Sequence, residues 1–376
     1  MSQTDAPPPR PHPPVTPLAA GLPATVPFVG PEAQERARGR PFKARIGANE
    51  SVFGPSPRAV EAMAAAARDA WMYGDPEIHE LKAALAARLG LAPDAILVGE
   101  GIDGLLGYAA RLFVSEGTAV ATSLGSYPTF NYHVAGYGGR LIAVPYAANR
   151  ADLDALLAAA KREQARLVYL ANPDNPMGLW WSAAEVARFA DALPEDCLLL
   201  LDEAYLETAP DGTAPEIDVA RPNLLRFRTF SKAMGLAGLR VGYALGAPAL
   251  IREFDKIRNH FGVGRVAQAG ALGALEDRDW LAGVVRQIEE SRAEIAKIAE
   301  AAGLAPLPSA ANFVTIDCGR DGDFARRVLA GLLSRDVFVR MPGVAPLDRC
   351  IRVSCGRPAD LTRFAEALPG ALAEAV

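Results

Sequence analysis

Short, largely apolar runs recur through the middle of the chain, at residues 95–98, 119–122, 141–144, 167–170, 197–201, 224–227 and 241–245. Stretches with apolar residues at helical spacing lie between several of them, such as 152–161 and 183–193, and two more, 58–71 and 76–89, precede the first run. Pro76 suits the first turn of the second of these. Strands that are apolar on both faces and interleaved with helices predict an α/β fold, a mostly parallel sheet sandwiched by helices. After about Gly246 the pattern changes. Charged helical stretches (248–258 and 279–302) come first, then strand-like 312–316 and 351–354 with helices between and after, which predicts a smaller α+β C-terminal domain. On this reading residues 1–26 are a proline-rich flexible leader, polyproline-like over 7–14. Residues 27–57 are an N-terminal arm, 58–260 a large domain and 261–376 a small one.

Composition narrows the function classes. The 376 residues are 50% hydrophobic and 22% charged, as in soluble globular proteins. A net charge of −5 offers no general attraction for nucleic acid or an anionic membrane. No apolar run approaches the ~20 residues that cross a bilayer, and no apolar signal core opens the chain, so the expected location is the cytoplasm. Cys197, Cys318, Cys350 and Cys355 are too dispersed for a disulfide framework or a zinc site and read as buried hydrophobes. Four scattered histidines leave little for a histidine-based metal site, and none is expected.

The strongest chemical signal is Thr229-Phe230-Ser231-Lys232-Ala233-Met234-Gly235, followed by Arg240. A lysine among Met, Leu, Ala and Gly is costly to bury charged and suits Schiff-base chemistry. A second signal is the apolar strand that ends in Asp202-Glu203-Ala204-Tyr205. Ligands bind beyond the carboxyl ends of parallel strands, and a buried aspartate there needs a cationic or hydrogen-bonding partner. A third is Gly99-Glu100-Gly101-Ile102-Asp103-Gly104, a glycine-rich turn opening a helix, which presents N–H groups to a phosphate. Asn172-Pro173-Asp174-Asn175-Pro176 is by itself only a turn.

Together these residues resemble the fold-type I pyridoxal-phosphate-dependent aminotransferases, and within them the histidinol-phosphate aminotransferase branch. Pro27–Glu32 resembles that branch's opening arm, Asn49-Glu50 through Pro57 its Asn-Glu signature, and Tyr73-Gly74-Asp75-Pro76 its Tyr-Pro-Asp-Pro. The resemblance implies that Lys232 carries pyridoxal 5′-phosphate covalently and then moves the proton, with Asp202 on the pyridine nitrogen. It implies Tyr205 and Asn175 on the phenolic oxygen and Phe130 stacked on the ring. The backbone N–H groups of Ile102 and Asp103, with Ser231 and Arg240, would hold the phosphate. Tyr73 is implied to reach that phosphate from the other subunit of a homodimer. Arg352 would take the substrate's carboxylate, with Arg340, Asn49 and Phe28 also at the substrate, while Asn312 would be structural.

Phe28, Ser51, Gly74, Phe130 and Met177 depart from the branch's usual residues, which bears on substrate rather than reaction. The expected activity is transamination between an amino donor, histidinol phosphate or an aromatic amino acid, and a 2-oxo acid such as 2-oxoglutarate. The alternative is decarboxylation of a phosphorylated amino acid such as threonine phosphate. A cofactor-binding sensor would need a DNA-binding module, for which the leader has no pattern, and retention of Lys232, Asp202 and Arg240 argues against a relic.

Overall fold

The computed structural model describes residues 13–24 and 29–376. Seven strands form the large sheet: β1 (Ile96–Gly99), β2 (Ala119–Ser123), β3 (Arg140–Val144), β4 (Leu167–Ala171), β5 (Leu198–Asp202), β6 (Leu224–Thr229) and β7 (Gly242–Leu245), in the order β1-β7-β6-β5-β4-β2-β3. The five strands from β6 to β3 in that order run parallel to their neighbours, while β7 is antiparallel to both β1 and β6. Strand alternation explains why these runs are apolar throughout. Leu167, Tyr169, Leu198 and Leu200 pack on one face, and Val168, Leu170, Leu199 and Leu201 on the other. Helices Gly101–Phe113 and Pro128–Gly136 cover the first face, and Leu153–Arg162 and Ala183–Ala192 the second.

The smaller sheet has Phe313–Asp317 at its centre, antiparallel to Cys350–Ser354 and to Ala305–Pro306. The arm joins it through the core: Ala44–Arg45 pairs in parallel with Val337–Phe338, and Ala44 and Ile46 belong to the small domain's apolar cluster. The expected division at 260/261 does not coincide with the division between the two cores. Ala267, Ala271, Leu281, Val284 and Ile288 pack with the large domain, whereas Ile295 and Ala299 pack with the small one. A single helix, Arg278–Ala301, therefore spans both. Its uniform charged-amphipathic pattern gives no mark where its partner changes.

Pro76 does not open a helix. Asp75 accepts from the backbone N–H of Glu77 (3.0 Å) and His79 (2.8 Å), Ile78 turns left-handed, and the helix starts at His79. Within the leader a single helical turn, Pro17–Ala20, is capped by Thr16. Most of the expected polyproline segment, residues 7–12, lies outside the described residues. All four cysteines are buried, and burial pushes each thiol's pKa up to about 12. Among the described residues no helix is long and apolar enough to cross a membrane.

Candidate active site

The chain leaves β1, β4, β5 and β6 at the same end of the sheet, and the residues that follow line one cleft of about 300 Å³. Ile102 and Asp103 come from the turn after β1, Asn175 from the turn after β4, Tyr205 from beyond β5, and Ser231 and Lys232 from beyond β6. Asp103, Tyr127, Asn175, Tyr205 and Lys232 also line a wider cleft of about 910 Å³, which adds Asn49, Arg340 and Arg352. The two adjoin along these shared residues, Lys232 among them.

Asp202, the last residue of β5, is buried. Alternation places it on the same sheet face as Tyr169, whose hydroxyl donates to Asp202 Oδ2 at 2.7 Å, while the Ala204 N–H donates to Oδ1 at 3.0 Å. Burial nonetheless pushes the carboxyl's pKa up to about 6, the response of an acid short of a cation. Glu203, next in the chain, points the other way into a buried ion cluster with Arg226 (2.6 Å) and Arg228 (2.9 Å). Arg226 also donates to the carbonyls of Pro215 and Glu216, so this cluster ties the end of β5 to β6 and to the following loop.

An anion cradle lies beside Lys232. Helix Gly101–Phe113 begins here with no side-chain cap, leaving its first N–H groups without an intrahelical partner. Gly101 has φ +72°, and a Cβ on it would stand 2.5 Å from Arg240 Nη2. The guanidinium packs against the bare helix start, which is why that position has no side chain. Arg240 donates to Ser231 Oγ (3.2 Å) and to the Ala237 carbonyl (3.1 Å), and faces Asp103 at 3.6 Å. Gly235 serves the same loop by close approach: a Cβ there would stand 2.2 Å from the Gly54 carbonyl oxygen of the arm.

In the wider cleft the two arginines are backbone neighbours. Arg340 and Arg352 exchange both backbone hydrogen bonds, which sets their side chains side by side. Arg352 donates through Nη1 to Asn175 Oδ1, and its buried Nε has no hydrogen-bond partner among the described residues. An unpaired guanidinium N–H in a cleft is a waiting carboxylate or phosphate site. Arg340 donates to the Val29 carbonyl at 3.0 Å, which brings the arm to the mouth of the cleft. Behind this wall Asp174 accepts from Tyr146 (2.7 Å) and from the Met177 N–H (2.9 Å), and burial pushes its pKa up to about 6.

Most of the expected site residues line these clefts; Asp202, Phe130 and Tyr73 line neither. Phe130 is wholly buried, its ring stacked on Tyr169 at 5.0 Å, and it lines neither cleft; the aromatic side chains on both cleft walls are Tyr205 and Tyr127, the latter donating to Asp103 at 2.8 Å. Helix Pro128–Gly136 turns Phe130 and Val134, four residues apart, together into the core. Asn49 lines the wider cleft, yet both ends of its side-chain amide are taken, by Tyr205 (3.1 Å) and Ser354 (2.9 Å). Tyr73 is 79% exposed, packs on Phe261, and lines neither cleft of its own chain. Phe28 lies outside the described residues. Sequence reasoning missed Tyr127, Tyr169 and Ser354. Tyr169 left a signal, a lone hydroxyl in an otherwise apolar strand; Ser354, 305 positions from Asn49, left none.

Comparison with known proteins identifies the family. The family model for aminotransferase class I and II matches residues 43–368. The chain is 37% identical over 349 residues to a histidinol-phosphate aminotransferase of Anaeromyxobacter sp., covering 91% of this chain and 94% of that protein. It is also 37% identical over 332 residues to histidinol-phosphate aminotransferase 2 of Pseudomonas aeruginosa, covering 88% and 89%. Among solved structures, the histidinol-phosphate aminotransferase of Sinorhizobium meliloti in complex with pyridoxal 5′-phosphate superposes with a TM-score of 0.94 at 57% identity, covering 96% of this chain and 98% of that one. The chain belongs to the aminotransferase class I and II family.

Proposed function

We propose that this protein transfers the amino group between histidinol phosphate and 2-oxoglutarate, using pyridoxal 5′-phosphate held on Lys232, as a cytoplasmic homodimer. The observation that carries the reading is the gathering of a lysine, an uncapped helix start and two adjacent arginines around two adjoining clefts, with the buried carboxylate of Asp202 two residues before the cleft-lining Ala204. These residues fit that cofactor. The cradle of Gly101, Ser231 and Arg240 suits a phosphate, and the depth of Asp202 suits a protonated ring nitrogen, whose charge would answer the burial that lifts the acid. When bound, the cofactor supplies a sink for the electrons left when a bond to the substrate's α-carbon breaks.

The chain's own residues would do the rest. The Lys232 amine, held 3.3 Å from the Asn49 carbonyl, is placed to take the proton from the α-carbon and return it. Asp202, steadied by Tyr169 and Ala204, would hold the ring nitrogen's proton. Tyr205 and Asn175, both lining the cleft beside Lys232, would bind the phenolic oxygen. Arg352 and Arg340 bind the substrate's acidic group, and their pairing suits both a phosphate and the carboxylate of the 2-oxo acid. The exposed aromatic group of Trp71, Tyr73 and Phe261 supports a subunit interface that brings Tyr73 to the partner's phosphate cradle.

The test is amino transfer from histidinol phosphate to 2-oxoglutarate, followed as glutamate formed, beside a panel of aromatic amino acids. Glutamate from histidinol phosphate at the highest kcat/KM is the expected result; none from that donor refutes the reading. Decarboxylation is not favoured, since the relatives described above are aminotransferases by name.

A further inference from the structure

The side chain of Asn49 is buried in the seam between the two domains, with φ +57°. A directed chain of hydrogen bonds runs through it. The backbone N–H of Asn49 donates to Ser354 Oγ at 2.9 Å, and the hydroxyl of Ser354 donates to Asn49 Oδ1 at 2.9 Å. Asn49 Nδ2 then donates to Tyr205 Oη at 3.1 Å. The direction follows from proton counting. Turning the amide over would place its NH₂ against Ser354, and the serine's single proton would lose its acceptor. With the amide held this way round, the Tyr205 oxygen accepts from Asn49. Its own proton has no acceptor among the described residues and is left for the cleft. The backbone carbonyl of Asn49 accepts from Lys232 Nζ (3.3 Å) and Asn312 Nδ2 (3.0 Å). One small-domain sheet thus reaches both the hydroxyl and the amine of the site through a single asparagine.

We propose that Ser354 and Asn49 are positioning residues that set the direction of the Tyr205 hydroxyl, so that its proton is donated into the cofactor cleft. The inference rests on the function proposed above, in which that proton meets the cofactor's phenolic oxygen. Donation to that oxygen draws charge from it and weakens its hold on the neighbouring proton of the lysine-bound cofactor. Losing the donation therefore moves the visible absorbance transition of the holoenzyme to higher pH.

The experiment is a spectrophotometric pH titration of purified holoenzyme, read without turnover. Tyr205→Phe sets the scale, an upward shift of roughly 0.5 to 1 pH unit for one hydrogen bond. Asn49→Asp presents only acceptors, draws the tyrosine's proton toward itself and shifts the transition upward similarly. The double variant titrates with Tyr205→Phe alone, because the aspartate acts through the hydroxyl; shifts that add would mean a bare charge effect and overturn the proposal. Ser354→Ala releases the amide and shifts the transition in the same direction, and it decides the matter if Asn49→Asp fails to fold. A Ser354→Ala titration matching wild type overturns the proposal. A wild-type holoenzyme without visible absorbance would instead remove the function on which it rests.

Discussion

Asp202 is costly to the fold where it is useful to the reaction, and the cost can be measured. Burial lifts its pKa from the ordinary 3.8 to about 6. A difference of about two units corresponds to ~3 kcal/mol against folding once the carboxylate is ionised. The sign follows from proton binding: the folded state holds this proton more tightly than the unfolded chain. The penalty is absent below the unfolded pKa, grows as pH rises through the window from 3.8 to about 6, and is complete above it. The amide introduced by Asp202→Asn carries no charge, but it can no longer accept from both the Tyr169 hydroxyl and the Ala204 N–H, which returns ~1–2 kcal/mol. Cofactor-free Asp202→Asn is therefore expected to be more stable than wild type by ~1–2 kcal/mol at pH 8. The charge contribution shrinks to roughly a third by pH 4.5. Urea midpoints of the two cofactor-free proteins at both pH values make the comparison, and kcat of the loaded variant should fall at least ~100-fold. A variant less stable than wild type at pH 8, or a difference that ignores pH, would refute the reasoning.

Gly101→Ala drives a Cβ against Arg240 at a left-handed position, so cofactor affinity should fall ~10-fold or more in a fluorescence titration while the fold persists by circular dichroism. Arg352→Lys keeps the charge and loses the fork; kcat/KM for the oxo acid should fall ~10- to 100-fold, chiefly through KM. Mixing Tyr73→Ala with Lys232→Ala subunits should yield activity above either parent, because each mixed dimer would hold one cleft with an intact lysine and an intact partner tyrosine. No gain on subunit exchange would place Tyr73 outside the site.

What the sequence made legible is what local pattern controls. The strands of the large sheet stood out because helices cover both faces and every position must be apolar, and Asp202 stood out because it ends such a run. Lys232 and Arg240 were legible through the composition of one loop. Where the outcome depends on rotation or on distant partners, pattern was insufficient. Motif position puts Phe130 on the ring, although its spacing to Val134 marks a core face and leaves Tyr127 toward the cleft. The pattern along the chain puts the domain boundary at 260/261, whereas the cores divide within a helix whose pattern does not change.

The sequence marks the arm as a separate segment, and its placement explains why the site needs two domains. Ile46 donates to the Phe338 carbonyl and accepts from the Ser354 N–H, so it is effectively part of the small domain's sheet. Three residues on, Asn49 touches Lys232 and Tyr205, and five further, the Gly54 carbonyl presses on the lysine loop at Gly235. The arm is thus held by one core and aimed at the other. Arg352 and Arg340, the groups proposed to grip substrate, belong to the same sheet region as the arm's anchor. On the proposed function, a substrate that draws those arginines toward the cleft would also press Asn49 toward the lysine and tyrosine, because the same sheet holds all three. Binding energy at the acidic end of the substrate would in this way reach the two groups proposed to handle its protons, through the hydrogen bonds of Asn49.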